Sequence, residues 1–274
     1  MKDNLEQYNQ YDQYKKEQQD KKRHKTILLI RIGAIAMFIT SIALLLNELV
    51  FTVGRSEISY TTSDIVDELM PTPLGHEEEP TEEATSPSAA IILALREHFE
   101  NDDIVAFVSI PGTNVAYPIV QAPDNEFYLN RDAFGNQNRA GSIFLDYKNS
   151  PSFMDFNNII YGHNMRDGTR FHNLRFYNDF EFFDNHRIIK LITMYDITEW
   201  EVFSFFQTNI AFNYIQVEFK DKDEAYALAR DMWQRSRHNT GVQIHPGDRV
   251  LTLSTCTNRA SDTRYVLSAR LITN

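Results

Sequence analysis

The 274-residue chain contains a single cysteine, Cys256, which ends a stretch typical of a β-strand. Residues 249–256 are rich in β-branched and apolar side chains, and strand alternation places Ser254 and Cys256 together on the more polar face. Free cysteine is often simply buried, and that interpretation stays open at this point. A thiol can also be a nucleophile, provided that a neighbouring group favours its thiolate form.

Arg264 begins the next predicted strand, which covers residues 264–271. If the two strands pair as neighbours, alternation allows Arg264 and Cys256 to project to the same side. Arg259, in the short loop between the strands, is an alternative cation. We favour Arg264, because its place in a strand fixes the direction of its side chain.

A cysteine nucleophile needs a base or an ion partner, and His163 is the strongest candidate among the eight histidines. It follows the predicted strand 158–162 and enters a polar turn, where a rigid sheet can present a reactive side chain. The flanking Gly162 and Gly168 suggest freedom of the backbone at this point. His24 and His76 fall in the predicted cytoplasmic tail and spacer, outside the folded domain.

Two other chemistries are weaker. A metal site would join His163, Asp167 and His172, but their spacing matches none of the usual zinc patterns and no second cysteine is present. A serine triad lacks the Gly-x-Ser-x-Gly turn that exposes the nucleophile in α/β-hydrolases.

The first 88 residues predict a membrane anchor and a spacer. Residues 1–26 form a basic tail, and 27–50 contain an apolar run long enough to cross a bilayer as a helix. The basic flank before it places the N-terminus in the cytoplasm and the rest outside the cell. We interpret the run as an uncleaved signal anchor, because it is longer than a signal-peptide core. Residues 51–88 are acidic and contain prolines, which predicts a flexible spacer.

The remaining residues, 89–274, form the predicted catalytic domain. Two helices are expected, over 89–100 with Ser88 as its cap and over 223–235. Eight or nine short strands are expected at residues 104–110, 115–120, 141–146, 158–162, 187–193, 199–206, 214–219, 249–256 and 264–271. Many short strands with few helices indicate a mainly β domain, either a barrel or a sandwich.

The charge distribution argues against nucleic acid as a partner. Residues 56–103 hold thirteen acidic residues and one basic residue, whereas 104–274 carry a net charge of only −2. The formal charge of −11 therefore belongs to the spacer, and the nearly neutral domain offers no basic surface for phosphates.

Several motifs, in their order and separation, resemble those of class B sortases, the membrane-anchored cysteine transpeptidases of Gram-positive bacteria. The resemblance extends over roughly residues 89–272. It is carried by Leu253-Ser-Thr-Cys256 with Arg264, Tyr161-Gly-His-Asn-Met165, Gly141-Ser-Ile-Phe-Leu-Asp146, and Pro111-Gly-Thr-Asn114 with Tyr117-Pro-Ile-Val-Gln121.

The resemblance implies an eight-stranded β-barrel with an N-terminal helix and an additional helix before the penultimate strand, preceded by one transmembrane helix. It implies Cys256 as the nucleophile, His163 as the general acid and base, and Arg264 as the group that holds the substrate and stabilises the oxyanion. Ser254 is implied as a substrate contact. No metal or organic cofactor is required by this scheme.

The implied reaction cleaves a sorting motif after Thr, near the C-terminus of a secreted protein, and passes the protein to an amine. That amine belongs to a cell-wall precursor or to a lysine of a pilin subunit. Two alternatives stay open: an extracellular cysteine hydrolase, and a non-enzymatic anchored β-barrel that only binds.

Overall fold

A computed structural model describes residues 33, 36–45, 62–70, 86–209, 211–256 and 263–273. The chain divides into two compact units, Met1–Gly54 and Arg55–Asn274. In the first unit, residues 36–45 are helical. A search of the described residues finds no helix that is both apolar and long enough to span a bilayer. Most of the predicted anchor at 27–50 lies outside the described residues, as does the basic tail at 1–26.

Eight strands build the second unit. They are β1 (Ile104–Ser109), β2 (Ala116–Val120), β3 (Ile143–Leu145), β4 (Asn157–His163), β5 (Ile188–Thr193), β6 (Ile197–Thr208), β7 (Val250–Cys256) and β8 (Arg264–Leu271). They close into a barrel in the order β1-β2-β3-β4-β7-β8-β6-β5. The predicted eight-stranded barrel is therefore confirmed.

Two of the neighbouring strand pairs are parallel, β2 with β3 and β4 with β7, and the others are antiparallel. The β4–β7 pair joins parts of the chain that are nearly a hundred residues apart. The interior of the barrel is filled by apolar side chains from alternate strand positions, including Ile160, Trp200, Leu253 and Leu267. This packing fixes the register of the central strands.

Four α-helices and two 3-10 helices accompany the barrel within the described part of this unit. The α-helices are α1 (62–69), α2 (Pro87–Phe99), α3 (Phe180–Asn185) and α4 (Lys222–Gln234), and the 3-10 helices are Phe127–Asn130 and Phe171–Asn178. The two helices predicted from sequence correspond to α2 and α4. Helix α2 packs through Ile91, Leu95 and Phe99 in a cluster with residues of β1 and β5, and α4 packs through Ala229 and Met232 in a cluster with residues of β6, β7 and β8.

The start of α2 differs from the prediction. Ser86, not Ser88, caps the helix by accepting a hydrogen bond from the backbone N–H of Ala89 at 3.2 Å. Pro87 belongs to the first turn, where its fixed φ suits a helix and its missing N–H costs nothing.

Part of the predicted flexible spacer is structured. Residues 62–69 form α1, and Val66 is buried in the same apolar cluster as Ile92 and Phe99. The description of the whole segment 51–88 as flexible is therefore wrong for α1, because four-residue spacing of Thr62, Val66 and Met70 gives this short helix a face that packs. Residues 51–61 and 71–85 lie outside the described residues.

The strand predicted at 214–219 is not formed. The backbone carbonyls of Tyr214 and Gln216 instead accept hydrogen bonds from the side-chain amide of Asn157, at 3.0 and 2.9 Å. The segment thus lies against the start of β4 without joining the sheet, because a side chain satisfies carbonyls that a strand ladder would otherwise bind.

Candidate active site

The parallel pairing of β4 with β7 brings two of the predicted residues together. The ladder runs without a break from Asn157 opposite Val250 to His163 opposite Cys256. Adjacent strands lie about 5 Å apart, so the backbones at His163 and Cys256 are direct neighbours at one end of the barrel.

The third predicted residue reaches the same end from the other side of β7. In the antiparallel pair of β7 and β8, Thr252 lies opposite Ser268 and Ser254 opposite Val266. The observed pairing ends there, and continuing its register by two residues on each strand predicts Arg264, the first residue of β8, beside Cys256. The side chain of Cys256, the loop 257–262 and therefore Arg259 lie outside the described residues.

The imidazole of His163 is held by a backbone carbonyl. Its Nε2 lies 2.8 Å from the oxygen of Leu129, in the 3-10 helix Phe127–Asn130. A carbonyl can only accept, so Nε2 carries the proton, and Nδ1 is the ring nitrogen left for proton transfer in the neutral form.

The surroundings of His163 favour its neutral form. Burial lowers the pKa of the imidazole below its usual value, and the positive charge of Arg170 acts in the same direction. The hydrogen bond to Leu129 opposes both effects. The net direction is downward, so the imidazolium is a minor species at neutral pH and a stronger acid than an ordinary histidine.

The glycine before His163 has a different role from the one expected. Strand β4 continues through Gly162 to His163, and Gly162 does not have a positive φ. A Cβ at this position would lie 2.4 Å from Cδ1 of Ile143 and 2.8 Å from the ring of Phe171. Gly162 therefore allows a close approach of β4 to its neighbours, which sets where His163 stands.

Arg264 is half-buried, and its Nη1 is a buried donor. No acceptor for Nη1 is found among the residues that the structure describes. Because leaving a buried donor unpaired is costly, such a group is well suited to bind an oxygen that arrives with a ligand.

Ser254 is buried, and its hydroxyl lies 2.8 Å from the hydroxyl of Tyr214. Tyr214 in turn packs with Phe206 and Phe212. The predicted substrate contact is thus occupied by a side chain from the segment between β6 and β7, and its role toward substrate stays a prediction. Sequence reasoning missed Tyr214, which it placed in a strand.

The alternative metal set does not assemble. His172 lies in the 3-10 helix Phe171–Asn178 with its ring edge toward Phe176, and Asp167 accepts hydrogen bonds from Thr169. Across the described parts of the chain, no three His, Cys, Asp or Glu side chains are grouped as metal ligands would be.

Three groups around His163 were not expected from the sequence: the Leu129 carbonyl, Gly141 and Arg170. A carbonyl leaves no signature in side-chain types, and Arg170 follows a turn where a solvent-exposed residue is usual. Of the three, only Gly141 belongs to a sequence motif, the run Gly141–Asp146 that resembles the family pattern.

Comparison with known proteins identifies relatives. Residues 108–272 match the family model described as the Sortase domain. The chain is 37% identical over 175 residues to sortase B of Listeria monocytogenes, covering 63% of this chain and 71% of the relative. It is 34% identical over 174 residues to sortase B of Staphylococcus aureus, again covering 63% and 71%. The structure of a Staphylococcus aureus sortase B–substrate complex superposes with a TM-score of 0.68 at 28% identity, covering 81% of this chain and 95% of that one.

Proposed function

Because this chain belongs to the sortase family, as a class B cysteine transpeptidase, we propose that Cys256, His163 and Arg264 carry out its reaction. Cys256 is the nucleophile, His163 transfers protons, and Arg264 binds the substrate carbonyl oxygen. The observation that supports this assignment is the strand register, which pairs His163 with Cys256 and, continued by two residues beyond Ser254 and Val266, leads to Arg264.

The first half-reaction forms a thioester. Neutral His163 takes the proton of the Cys256 thiol, and the resulting thiolate attacks the carbonyl carbon of the substrate Thr. An S–C bond forms and the carbonyl oxygen gains negative charge. When the tetrahedral intermediate collapses, the C–N bond breaks, and the departing amine takes a proton from the imidazolium of His163. The proton moves through Nδ1, because Nε2–H stays on Leu129.

The second half-reaction returns the enzyme. An acceptor amine attacks the thioester carbon, and neutral His163 takes the proton that this amine loses. The C–S bond then breaks, which releases the joined product, and the leaving thiolate takes the proton back from His163. A neutral imidazole is the form needed for this step, and the lowered pKa of His163 provides it near neutral pH.

Arg264 stabilises the oxyanion in both half-reactions. Its buried Nη1 is a fixed donor whose hydrogen-bonding capacity no described residue uses. Preorganised donors of this kind act in the transition state without having to reorient, and they often supply the largest single electrostatic contribution.

The substrates we propose are secreted proteins with a C-terminal sorting motif that is cleaved after Thr. The existence of a sortase B–substrate complex among the structural neighbours supports a peptide substrate. We propose a cell-wall precursor amine as the acceptor, with a pilin lysine as the alternative.

We propose a cell-surface location, with 1–26 as the cytoplasmic tail, 27–50 as the anchor and 89–274 as the catalytic domain. The length of the apolar run and its basic flank support this arrangement. Helix α1, which precedes α2 in the sequence, packs with it in the same apolar cluster, so the folded domain begins before residue 89.

The test is product analysis with the full chain in detergent. The protein is incubated with a panel of sorting peptides that carry Thr at the scissile position, with and without a short glycine peptide as the amine. We expect a thioester on Cys256 in the absence of amine and a joined peptide in its presence. Free acid as the sole product under both conditions would favour a hydrolase, and no cleavage of any peptide would favour a binding module.

A further inference from the structure

Arg170 combines three features that are unusual for an arginine in a loop. It is only 2% exposed, and its backbone has φ 58° and ψ −132°, a region that side chains other than glycine rarely adopt. It also forms an isolated bridge with Asn164, the residue after His163. Burying a cation and straining the backbone both cost free energy, so the surrounding contacts must compensate for both.

The contacts of Arg170 lead back to the catalytic histidine. Its Nε donates to the carbonyl oxygen of Gly141 at 2.8 Å, and its backbone N–H donates to the hydroxyl of Tyr117 at 3.0 Å. The guanidinium also stands over the Tyr117 ring, with 5.2 Å from its carbon to the centroid. Arg170 is therefore held from two sides, and it fixes the carbonyl of Gly141 in turn.

Gly141 lies where the Leu129 carbonyl and the His163 ring meet. It has φ 58°, and a Cβ here would lie 2.6 Å from the Leu129 oxygen and 3.1 Å from Cδ2 of His163. Any larger residue would have to displace the carbonyl that binds Nε2 of His163 or the imidazole itself. The bare Cα of Gly141 is thus a condition of the hydrogen bond that orients the ring.

From these contacts we propose that Gly141 and Arg170 are positioning residues for His163. Gly141 leaves room for the imidazole to meet the Leu129 carbonyl. Arg170 fixes Gly141 and adds a buried positive charge that discourages protonation of the ring. The inference rests on the proposed role of His163 in proton transfer. In it, Arg170 favours the neutral form of the imidazole that this transfer needs.

Several elements beside His163 carry charged or titratable residues. They are Glu126, Tyr128, Arg131 and Asp132 in and around the 3-10 helix that carries Leu129, Arg139 before Gly141, Arg166, Asp167 and Arg170 in the loop after β4, and Cys256 on β7. Among them, Arg170 is the one whose charge lowers the pKa of His163. Replacing Arg170 is therefore the most direct way to change the titration of the imidazole.

The first experiment measures the titration of His163 by NMR of histidine-labelled full chain carrying Cys256→Ala. His163→Gln in the same background identifies the signal. We expect Arg170→Met to raise the pKa of His163, because the buried charge is lost, and Arg170→Lys to keep it low. Arg175→Met is the matched control, since Arg175 is exposed on the neighbouring 3-10 helix, and it should leave the titration unchanged.

The second experiment compares two glycines with peptide cleavage as the readout. Gly135 has φ 79° but open space where its Cβ would stand, so Gly135→Ala reproduces the backbone strain without the contacts. We expect Gly141→Ala to lower kcat on the order of 10- to 100-fold with KM nearly unchanged, because the imidazole is displaced. Gly135→Ala should stay near the wild-type kcat.

The proposal would be overturned if the pKa of His163 in Arg170→Met equalled the wild-type value. It would also be overturned if Gly141→Ala and Gly135→Ala had the same kcat. Should Arg170→Met fail to fold, Arg170→Lys and the glycine pair decide. The titration uses a chain without the thiol, so its outcome is independent of turnover. Full activity of His163→Ala would overturn the proposed function instead.

Discussion

Strand β8 carries one arginine at each end of the barrel, and the two are treated differently. Arg270 lies opposite Glu201 of β6, and its Nη2 donates to the Glu201 carboxylate at 2.9 Å. Arg264 lies opposite Thr208, which has no charge. Each guanidinium keeps one buried nitrogen without an acceptor among the described residues, Nη1 of Arg264 and Nε of Arg270, so the carboxylate partner is what separates the two. The two residues share one strand and one face, since they are six residues apart.

The difference shows how one strand serves both stability and chemistry. The guanidinium that is paired with a carboxylate at one end contributes to the fold. The guanidinium at the other end has no such partner among the described residues, and its buried Nη1 is left for a substrate oxygen. The ladder of β4 and β7 shows the same contrast. At the start of the ladder, the Asn157 side chain accepts a hydrogen bond from Thr252 and donates to the carbonyls of Tyr214 and Gln216. The end of the ladder carries His163 and Cys256.

The largest expected effects come from the nucleophile and its proton partner. Cys256→Ala should abolish thioester formation and peptide cleavage, and His163→Ala should reduce cleavage to background. Mass spectrometry of the intact chain detects the thioester without ambiguity, because Cys256 is the only cysteine. Residual peptide cleavage by Cys256→Ala would contradict the assignment of this end of the barrel as the active site.

Substitutions of the two arginines on β8 should separate an effect on catalysis from an effect on stability. Arg264→Ala should lower kcat on the order of 100- to 1,000-fold, as expected for the loss of an oxyanion donor, with little change in Tm. Arg270→Ala should keep kcat and lower the free energy of unfolding by about 1 kcal/mol, because it loses a half-exposed ion pair. Kinetics and denaturant unfolding of both variants check this, and similar profiles for the two would contradict the division between the ends.

A smaller effect is expected on the pH dependence of stability. The pKa of His163 is lowered in the folded state, so the unfolded chain binds more protons in the range between the folded pKa and about 6.5. The stabilisation from this group is fully present above about pH 6.5 and is lost as the pH falls through the folded pKa. His163→Gln should therefore lose less free energy of unfolding between pH 7.5 and 5 than the wild type. Parallel curves would contradict the direction of the shift.

The smallest effects concern Ser254. Ser254→Ala removes the buried hydrogen bond between the Ser254 and Tyr214 hydroxyls and should cost about 1–3 kcal/mol in the free energy of unfolding. Tyr214→Phe is the matched variant, since it removes the same hydrogen bond from the other side. If Ser254 also contacts substrate, KM for a sorting peptide should rise more in Ser254→Ala than in Tyr214→Phe, and equal KM values would leave it a purely structural role.

The strands could be predicted where one face packs into the barrel. Residues 249–256 and 264–271 alternate in the sequence, and both are strands with leucines inside. The segment 214–219 shows the limit, because its alternation is equally good and its carbonyls are taken by Asn157. No local pattern reports a hydrogen bond from a side chain 57 residues away.

The reactive residues of the candidate site could be predicted from the sequence. The groups that position His163 could not. Cys256, His163 and Arg264 stand out because they are reactive or charged side chains at strand ends. Leu129 acts through its backbone carbonyl, Gly141 acts through the absence of a side chain, and Arg170 acts from a loop. Their effect on His163 depends on which segments the barrel brings together, which a single sequence does not specify.

The in-register ladder between β4 and β7 also has a kinetic consequence. Parallel pairing across more than ninety residues closes a long loop, and contacts of such high sequence separation form slowly and late in folding. Because His163 and Cys256 are the last pair of that ladder, partly folded chains hold them apart and leave the thiol without its base.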